Sequence, residues 1–489
     1  MAWSKQTTRE RVDEAVAALS TIDVADLVRE TDLSGISLTK AYRVNGVHVY
    51  VEIPNASSLL GIGGTEGERS HKKLLRFLHL YQRAAHVVFA STNATKVDHQ
   101  NQRLHFVVHK PYDDERRRIQ TAVAVADLLR EVILGANEHH DDLPDAKVRI
   151  GIESGVTLAV NNGTRGDREP LFIGNAANRA AHLLGPGKEG LFLGEAARQA
   201  LGPTWPNTAY ETSPLTAEQI AECVSNSDLD LTPAALLKNW ETELKTTPLI
   251  DFGFSRPTPP LTDLDLDALS PANSRRLEAA VIIADIDGFT SYVAAAMASG
   301  TADSAVRLLH VLRKELRDVL VDFGGRKIRY VGDCVVGVLA EGSSAATDLS
   351  ETVTNAIRCA AAMRDAFGVV LERLPEASTL GLAIGLELGP VAITRLGIKG
   401  SMDRVIVGRA VGEAQRAQES CSGTQTALGH VARSNLTEDF EGLFSTGREQ
   451  NLTFNKVMSC LDNANEQVAR KYNVPSPAPA VIIPRAHCK

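Results

Sequence analysis

Two patterns of apolar positions alternate along the chain, and the whole alternation occurs twice. Short stretches rich in β-branched and apolar residues read as strands. They are VHVYVEIPN (47–55), TKVDHQNQRLHFVV (95–108) and VRIGIESGV (148–156) in the first half. Their counterparts in the second are AAVIIADIDG (279–288), RKIRYVGDCVVGV (326–338) and LAIGLELGP (382–390). Between them, apolar residues recur at helical spacing over 67–91, 115–135, 302–321 and 350–368, which predicts four amphipathic helices. Each half runs strand, helix, strand, turn, strand, helix, strand, and then a further strand and helix. That order predicts the α+β class, an antiparallel or mixed sheet with helices on one face.

Glycines put the two halves in register. Gly151 of VRIGIESGV matches Gly385 of LAIGLELGP, and Gly174 of FIGNAANRAAH (172–182) matches Gly408 of IVGRAVGEAQR (406–416), both at an offset of 234 residues. Upstream, with small gaps, Glu52 faces Asp285, Lys96 faces Lys327 and Gln102 faces Asp333. The repeat predicts an N-terminal helical segment (1–45), a first domain (46–204) and a helical insert and linker (205–275) with a helix at 233–244. A second domain (276–435) and a helical appendage ending in a Pro-rich tail (436–489) follow.

Composition narrows the classes of function. A length of 489 residues suits two or three domains. The net charge of -8 leaves no whole-chain basic field for nucleic acid, whereas a small anionic substrate can still be held by local arginines or a metal. Six scattered cysteines without a CxxC pair read as reduced thiols, not as a zinc site or a disulfide framework. No run reaches the ~18 apolar residues of a membrane span. The polar start MAWSKQTTRERVDEAV lacks the apolar core of a signal peptide. The expectation is a soluble cytoplasmic protein with neither nucleic-acid nor membrane partners.

The strongest local signal is IIADIDGFT (282–290) together with GGRKIRYVGDCVVGVL (324–339). An apolar strand ends in Asp285, and Gly288 allows a tight turn whose N–H groups can face phosphate oxygens. A hairpin carries Asp333 at its turn. Carboxylates at adjacent strand ends suit hard divalent ions. Asp287 reads as solvent-facing or turn-capping. His99, His105, His109 and the His139–His140 pair lack a completing acid or cysteine at ligand spacing, so they read as strand and loop histidines.

These motifs resemble class III adenylyl and guanylyl cyclases. VIIADIDGFT with YVGDCVVGV is similar to that family's metal-binding half, and IGNAANRAAH and VGRAVGEAQR to its helix bearing an Asn and an Arg. The resemblance covers roughly 47–200 and 279–430. It implies two ferredoxin-like cyclase domains in an intramolecular head-to-tail pseudo-dimer with helical extensions, needing no further oligomer for a complete site. It implies that Asp285 and Asp333, with the Ile286 carbonyl, hold two Mg²⁺ or Mn²⁺ ions, and that Gly288, Phe289 and Thr290 line a nucleoside triphosphate. From the other half, Asn178 falls on the ribose-orienting position, His182 stands where the family has its transition-state arginine, and Lys96 falls on a base-reading position. The second purine-reading position falls near Leu171, whose side chain cannot hydrogen-bond a base edge. The reverse pairing, with Glu52, Gln102, Pro54-Asn55 and Gly412 at the corresponding positions beside Arg416, implies a relic. In the strand that carries a phosphate-contacting Arg in the family, the second half has Ala383 and the first has Arg149.

The tandem form and Leu171 also resemble the pyrimidine cyclases of bacterial Pycsar anti-phage systems, which make cyclic UMP or cyclic CMP as an alarm for a separate cyclic-nucleotide-sensing effector. The expectation is a uridylate cyclase acting on UTP. The alternatives are an adenylate or guanylate cyclase, or a cyclase-fold nucleotide-binding regulatory protein. GGDEF cyclases and polymerase palms share the strand–acid–turn logic, but GFT after Asp285, YVGDC and the Asn/Arg helix fit neither.

Overall fold

The computed structural model describes residues 3–471 apart from 30, 32, 62–64, 139, 141–142, 162–169, 206–209, 250 and 399. His139 and the Pro-rich end of the chain lie outside the described residues. The first half contains strands β1 (Asp23–Asp26), β2 (Lys40–Glu52), β3 (Thr95–Gln100), β4 (Arg103–Val108), β5 (Arg149–Asn161), β6 (Pro170–Ile173) and β7 (Gly190–Leu193). Its helices are α1 (Lys5–Ala18), α2 (Glu68–Ser91), α3 (Glu115–Glu138), α4 (Asn175–His182) and α5 (Glu195–Leu201), followed by α6 (Ala217–Ser225) and α7 (Pro233–Thr246).

The second half repeats the plan. Its strands are β8 (Phe254–Ser255), β9 (Ser274–Asp287), β10 (Arg326–Val331), β11 (Cys334–Leu339), β12 (Gly381–Ile398), β13 (Ser401–Val407), β14 (Gln425–Leu428) and β15 (Arg448–Gln450). Its helices are α8 (Phe289–Ser299), α9 (Ala302–Asp322), α10 (Leu349–Arg373), α11 (Arg409–Glu419), α12 (His430–Ser434), α13 (Glu438–Glu441) and α14 (Phe454–Lys471). Two mixed sheets result, ordered β3-β4-β2-β5-β6 and β10-β11-β9-β12-β14-β15, with the remaining strands pairing beside them.

The long helices α9 and α10 cover one face of the second sheet, meeting Ala280, Ile282 and Ala284. The opposite face is covered too. Ala410 and Ala414 of α11 and Leu261–Leu269 pack on Ala279, Val281 and Ile283. The expectation of helices on one face is thus corrected. A strand apolar at every position from Leu277 to Ala284, save Glu278, must be covered on both sides.

The repeated glycines have a steric cause. A Cβ on Gly151 would come within 2.1 Å of the Ala180 carbonyl of α4, and one on Gly385 within 2.2 Å of the Ala414 carbonyl of α11. Both short helices lie against their sheets at backbone distance, which no other residue allows.

The halves interlock. The β12–β13 hairpin contributes Ala392, Leu396, Val405 and Val407 to the core built on α2 and α3. Reciprocally, Ala41 with Leu158, Val160, Leu171 and Ile173 of the first sheet joins the core under α8 to α10. The N-terminal segment bridges both. Arg11 of α1 pairs with Glu315 at 2.6 Å and Asp322 at 2.8 Å in α9, while β1 lies parallel to β2. Within 205–275, α6 and α7 pack on α3, and Trp240 of α7 is buried in the first core.

Candidate active site

Asp285 sits near the end of β9, opposite Ala383 of β12 and one position beyond the pair Ala284–Val335 that joins β9 to β11. This places it beside the β10–β11 turn, which carries Asp333. Gly288 then takes φ 84, left-handed backbone that lets the chain swing from the strand directly into α8. The acids feel each other. Burial, and then the neighbouring Asp285 charge, raises the Asp333 carboxyl well above the ordinary range. Burial, then Asp287 and Glu419, raises Asp285. The Ile286 N–H donates to Asp333 and the Arg313 charge attracts it, so its ionised form is partly supported.

Two partly buried carboxylates that repel one another, with oxygen donors only, fit a divalent cation, which would reverse both shifts. No group of three or more His, Cys, Asp or Glu side chains placed to hold one metal ion occurs among the described residues. The fit therefore rests on this pair and on neighbouring backbone. Asp287 accepts the Gly423 N–H at 2.8 Å, so it caps a turn from an exposed position.

The first half reaches this place through α4. Ala176, Ala177 and Ala180 are buried, and Asn178, half-buried at the seam, donates from Nδ2 to the Thr290 hydroxyl at the start of α8. Phe289 is buried beneath that turn. His182 is exposed at the last position of α4. The Lys96 Nζ pairs across the seam with Asp403 of β13 at 2.6 Å. Beside it Asp98 pairs with Arg329, whose guanidinium also donates to the His99 carbonyl at 2.8 Å. The structure thus brings together Asp285, Ile286, Asp333, Gly288, Phe289, Thr290 and Asn178; Lys96 lies on the same seam, and Leu171 is buried in the shared core.

Sequence reading missed one wall. His48 and Tyr50 of β2, His105 of β4 and Phe172 of β6 share the seam-side face of the first sheet. The Tyr50 and His105 rings stack at 4.1 Å, His48 Nδ1 meets His105 Nε2 at 3.1 Å, and His48 Nε2 meets the Thr157 hydroxyl at 3.1 Å. Phe172 packs edge-on against both imidazoles. Burial keeps both histidines neutral, driving His105 down to about 3 and His48 well below its usual value. The alternation of HVY in β2 held the signal, a polar and aromatic stripe on one face.

The pseudo-symmetric seam looks different. A cleft of about 770 Å³ opens between α11 and the Gln100–Arg103 turn, lined by Ile283, Val336 and Ile406 and also by Asp285 and Asp287, so it reaches the acids at the end of β9. Glu52, at the acid position, is tied to Arg103 at 2.9 Å. Gly412 and Arg416 line the α11 side.

A doubled α+β sheet with an acid pair on one half and an asparagine helix from the other defines a class, and sequence comparison agrees. The chain belongs to the class III nucleotide cyclase family: the adenylate and guanylate cyclase catalytic domain matches residues 273–452. A uridylate cyclase from Pseudomonas aeruginosa is 40% identical, over 99% of this chain and 96% of that protein. One from a Rhizobium species is 37% identical, over 83% of this chain and 81% of that one. A class III adenylyl cyclase-like ATP-binding protein from Pseudomonas aeruginosa, solved by crystallography, superimposes with a TM-score of 0.90 at 40% identity, covering 94% of this chain and 99% of that one. Cyclases of this family work with two divalent metal ions. No described helix is long and apolar enough to cross a membrane.

Proposed function

We propose that the chain converts UTP to 3′,5′-cyclic UMP and pyrophosphate at one site, closed by the second half's acids and the first half's α4. The observation that carries this reading is the meeting of Asn178 with Thr290, one turn beyond the Asp285–Asp333 pair. Asp285 and Asp333, with the Ile286 carbonyl, would hold two Mg²⁺ or Mn²⁺ ions. Such ions make a ribose 3′-hydroxyl more acidic and offset triphosphate charge. Around them the protein positions. Backbone at Gly288, Phe289 and Thr290 meets the phosphates, Asn178 orients the ribose, and His182 takes the place from which charge developing at the α-phosphorus is met. Attack by the 3′-oxygen forms the cyclic ester as the bond to pyrophosphate breaks.

The base would lie against the first sheet. Lys96, oriented by Asp403, keeps donors for a base edge. The Tyr50–His105–Phe172 wall presents rings where the second half presents aliphatic Ile283, Val336 and Ile406, which favours a one-ring base. The names of both relatives support uridine. Resemblance to Pycsar cyclases supports a role in bacterial anti-phage defence, with cyclic UMP made in the cytoplasm as a signal for a separate effector. Neither nucleic acid, membrane nor a further oligomer enters the reaction. Incubating the purified chain with each of the four NTPs and Mn²⁺, then identifying products by mass spectrometry, tests it. Cyclic UMP is expected to dominate; dominant cyclic AMP would overturn the uridine assignment, and no cyclic product from any NTP would overturn the enzyme.

A further inference from the structure

We propose that Asp98 and Arg329 are a positioning pair for the cyclisation, a buried charge contact that favours the union of unlike halves and fixes the register of the active seam. The inference rests on reading that seam as the cyclase site.

The two residues hold the same place in the two repeats. Hairpin β3–β4 pairs Lys96 with Phe106, skips Val97 and resumes with Asp98 opposite His105. Hairpin β10–β11 pairs Lys327 with Gly337, skips Ile328 and resumes with Arg329 opposite Val336. The same bulge therefore re-aims one residue of each hairpin. Asp98 and Arg329 are those residues, 231 positions apart, and they meet each other. When two related domains pair, a position touches its own counterpart only at the axis that relates them. This contact thus marks the pseudo-twofold of the molecule.

The location gives the charges their effect. Asp98 is 6% and Arg329 7% exposed, so each depends on the other in place of water. Arg329 also donates to the His99 carbonyl at 2.8 Å and the Arg404 carbonyl at 3.1 Å, while Gln100 Nε2 donates to Asp98 at 2.6 Å. Both groups are thereby held in orientation. An axis between identical domains would set Asp against Asp or Arg against Arg, like charges buried together. First half against second half neutralises both. Each member also stands beside a working part of the site. Asp98 lies across its hairpin from His105, whose ring stacks on Tyr50 of the proposed base wall. From Arg329, β10 runs through Val331 into the turn that carries Asp333. The contact therefore ties the base wall to the acids, where about 1 Å of misplacement can cost about a hundredfold in rate.

Charge exchange in the full-length chain tests this. Asp98→Arg and Arg329→Asp each put like charges on the axis, whereas the double variant restores opposite ones. Turnover of UTP with Mn²⁺ is measured at a temperature where melting curves show the variants folded. Each single variant is expected to lower kcat about a hundredfold or more, with the double variant at least about tenfold above either. A double variant no better than the singles overturns the pair. Single variants that keep kcat within about threefold overturn the positioning role, even where the melting temperature falls. Should a like-charge variant fail to fold, Asp98→Asn, Arg329→Gln and their combination take its place. Losses in a coupled pair do not multiply, so the combination is expected within about threefold of the worse single, and multiplied losses overturn the pair. Failure of the cyclase reading shows separately, as no cyclic product from the unmutated chain.

Discussion

Burial and the neighbouring Asp285 charge make the Asp333 carboxylate unwelcome, and the cation proposed to relieve it has a measurable signature. Asp333→Asn should leave the metal-free fold intact and lower cyclisation by about three powers of ten or more, the equivalent of several kcal/mol at about 1.36 kcal/mol per tenfold. Initial rates with Mn²⁺ and UTP check the rate. Thermal melts check the linkage, because Mn²⁺ should raise the unmutated chain's melting temperature and not the variant's. On the other side of the seam, Tyr50→Ala removes the ring stacked on His105. Comparing kcat/KM for UTP and ATP should show discrimination against ATP reduced about 10- to 100-fold, the range a pocket's shape alone supplies. His310 reports a different property. Burial, the main cause, lowers it to about 4, so it is neutral when folded while the unfolded chain binds its proton near 6.5. Its contribution is therefore full above pH 6.5 and is lost as pH falls toward 4. Urea titrations should show His310→Leu gaining on the unmutated chain by about 1.4 kcal/mol per pH unit in that window, with no such trend above it.

At the scale of elements, what could be foreseen follows local constraint. Gly151 and Gly385 stand out because helix backbone approaches within contact of their Cα atoms, and Asp285 because an acid ending an apolar strand breaks its pattern. The doubled α+β plan was legible for the same reason, since each strand and helix carries its own period. The wall of His48, Tyr50, His105 and Phe172 was not. Three separate strands build it, and alternation tells which face a side chain takes without telling what meets it there. The Lys96–Asp403 pair joins positions 307 apart, beyond any local pattern. Over 205–275 the helix at 233–244 was legible from its apolar spacing, but nothing local told that its face enters the first core. Trp240 of α7 is 1% exposed. Trp240→Ala should cost about 3–5 kcal/mol in urea unfolding, as for other large aromatic truncations; a cost under 1 kcal/mol would show α7 to be a detachable insert.

For the whole molecule, the interlocked cores mean that neither half has a complete interior of its own. Both should unfold in one transition. The chain supplies its own reporters, because Trp205 and Trp240 lie in the first core while Trp3 of the N-terminal segment packs on Phe454 of α14 at 4.8 Å. Fluorescence of Trp3→Phe and of Trp205→Phe/Trp240→Phe chains should give coincident urea midpoints. Two separated midpoints would show the halves to be independent.

The exchange of hairpins also governs how the protein is born. When a ribosome has released the first 250 residues, α2 and α3 are complete, yet the apolar surface awaiting Ala392, Leu396, Val405 and Val407 stays bare until synthesis passes position 407. Nascent chains stalled before that point should be held by chaperones and cut by proteases, and release should follow emergence of β13. A cell would thus carry no half-made cyclase.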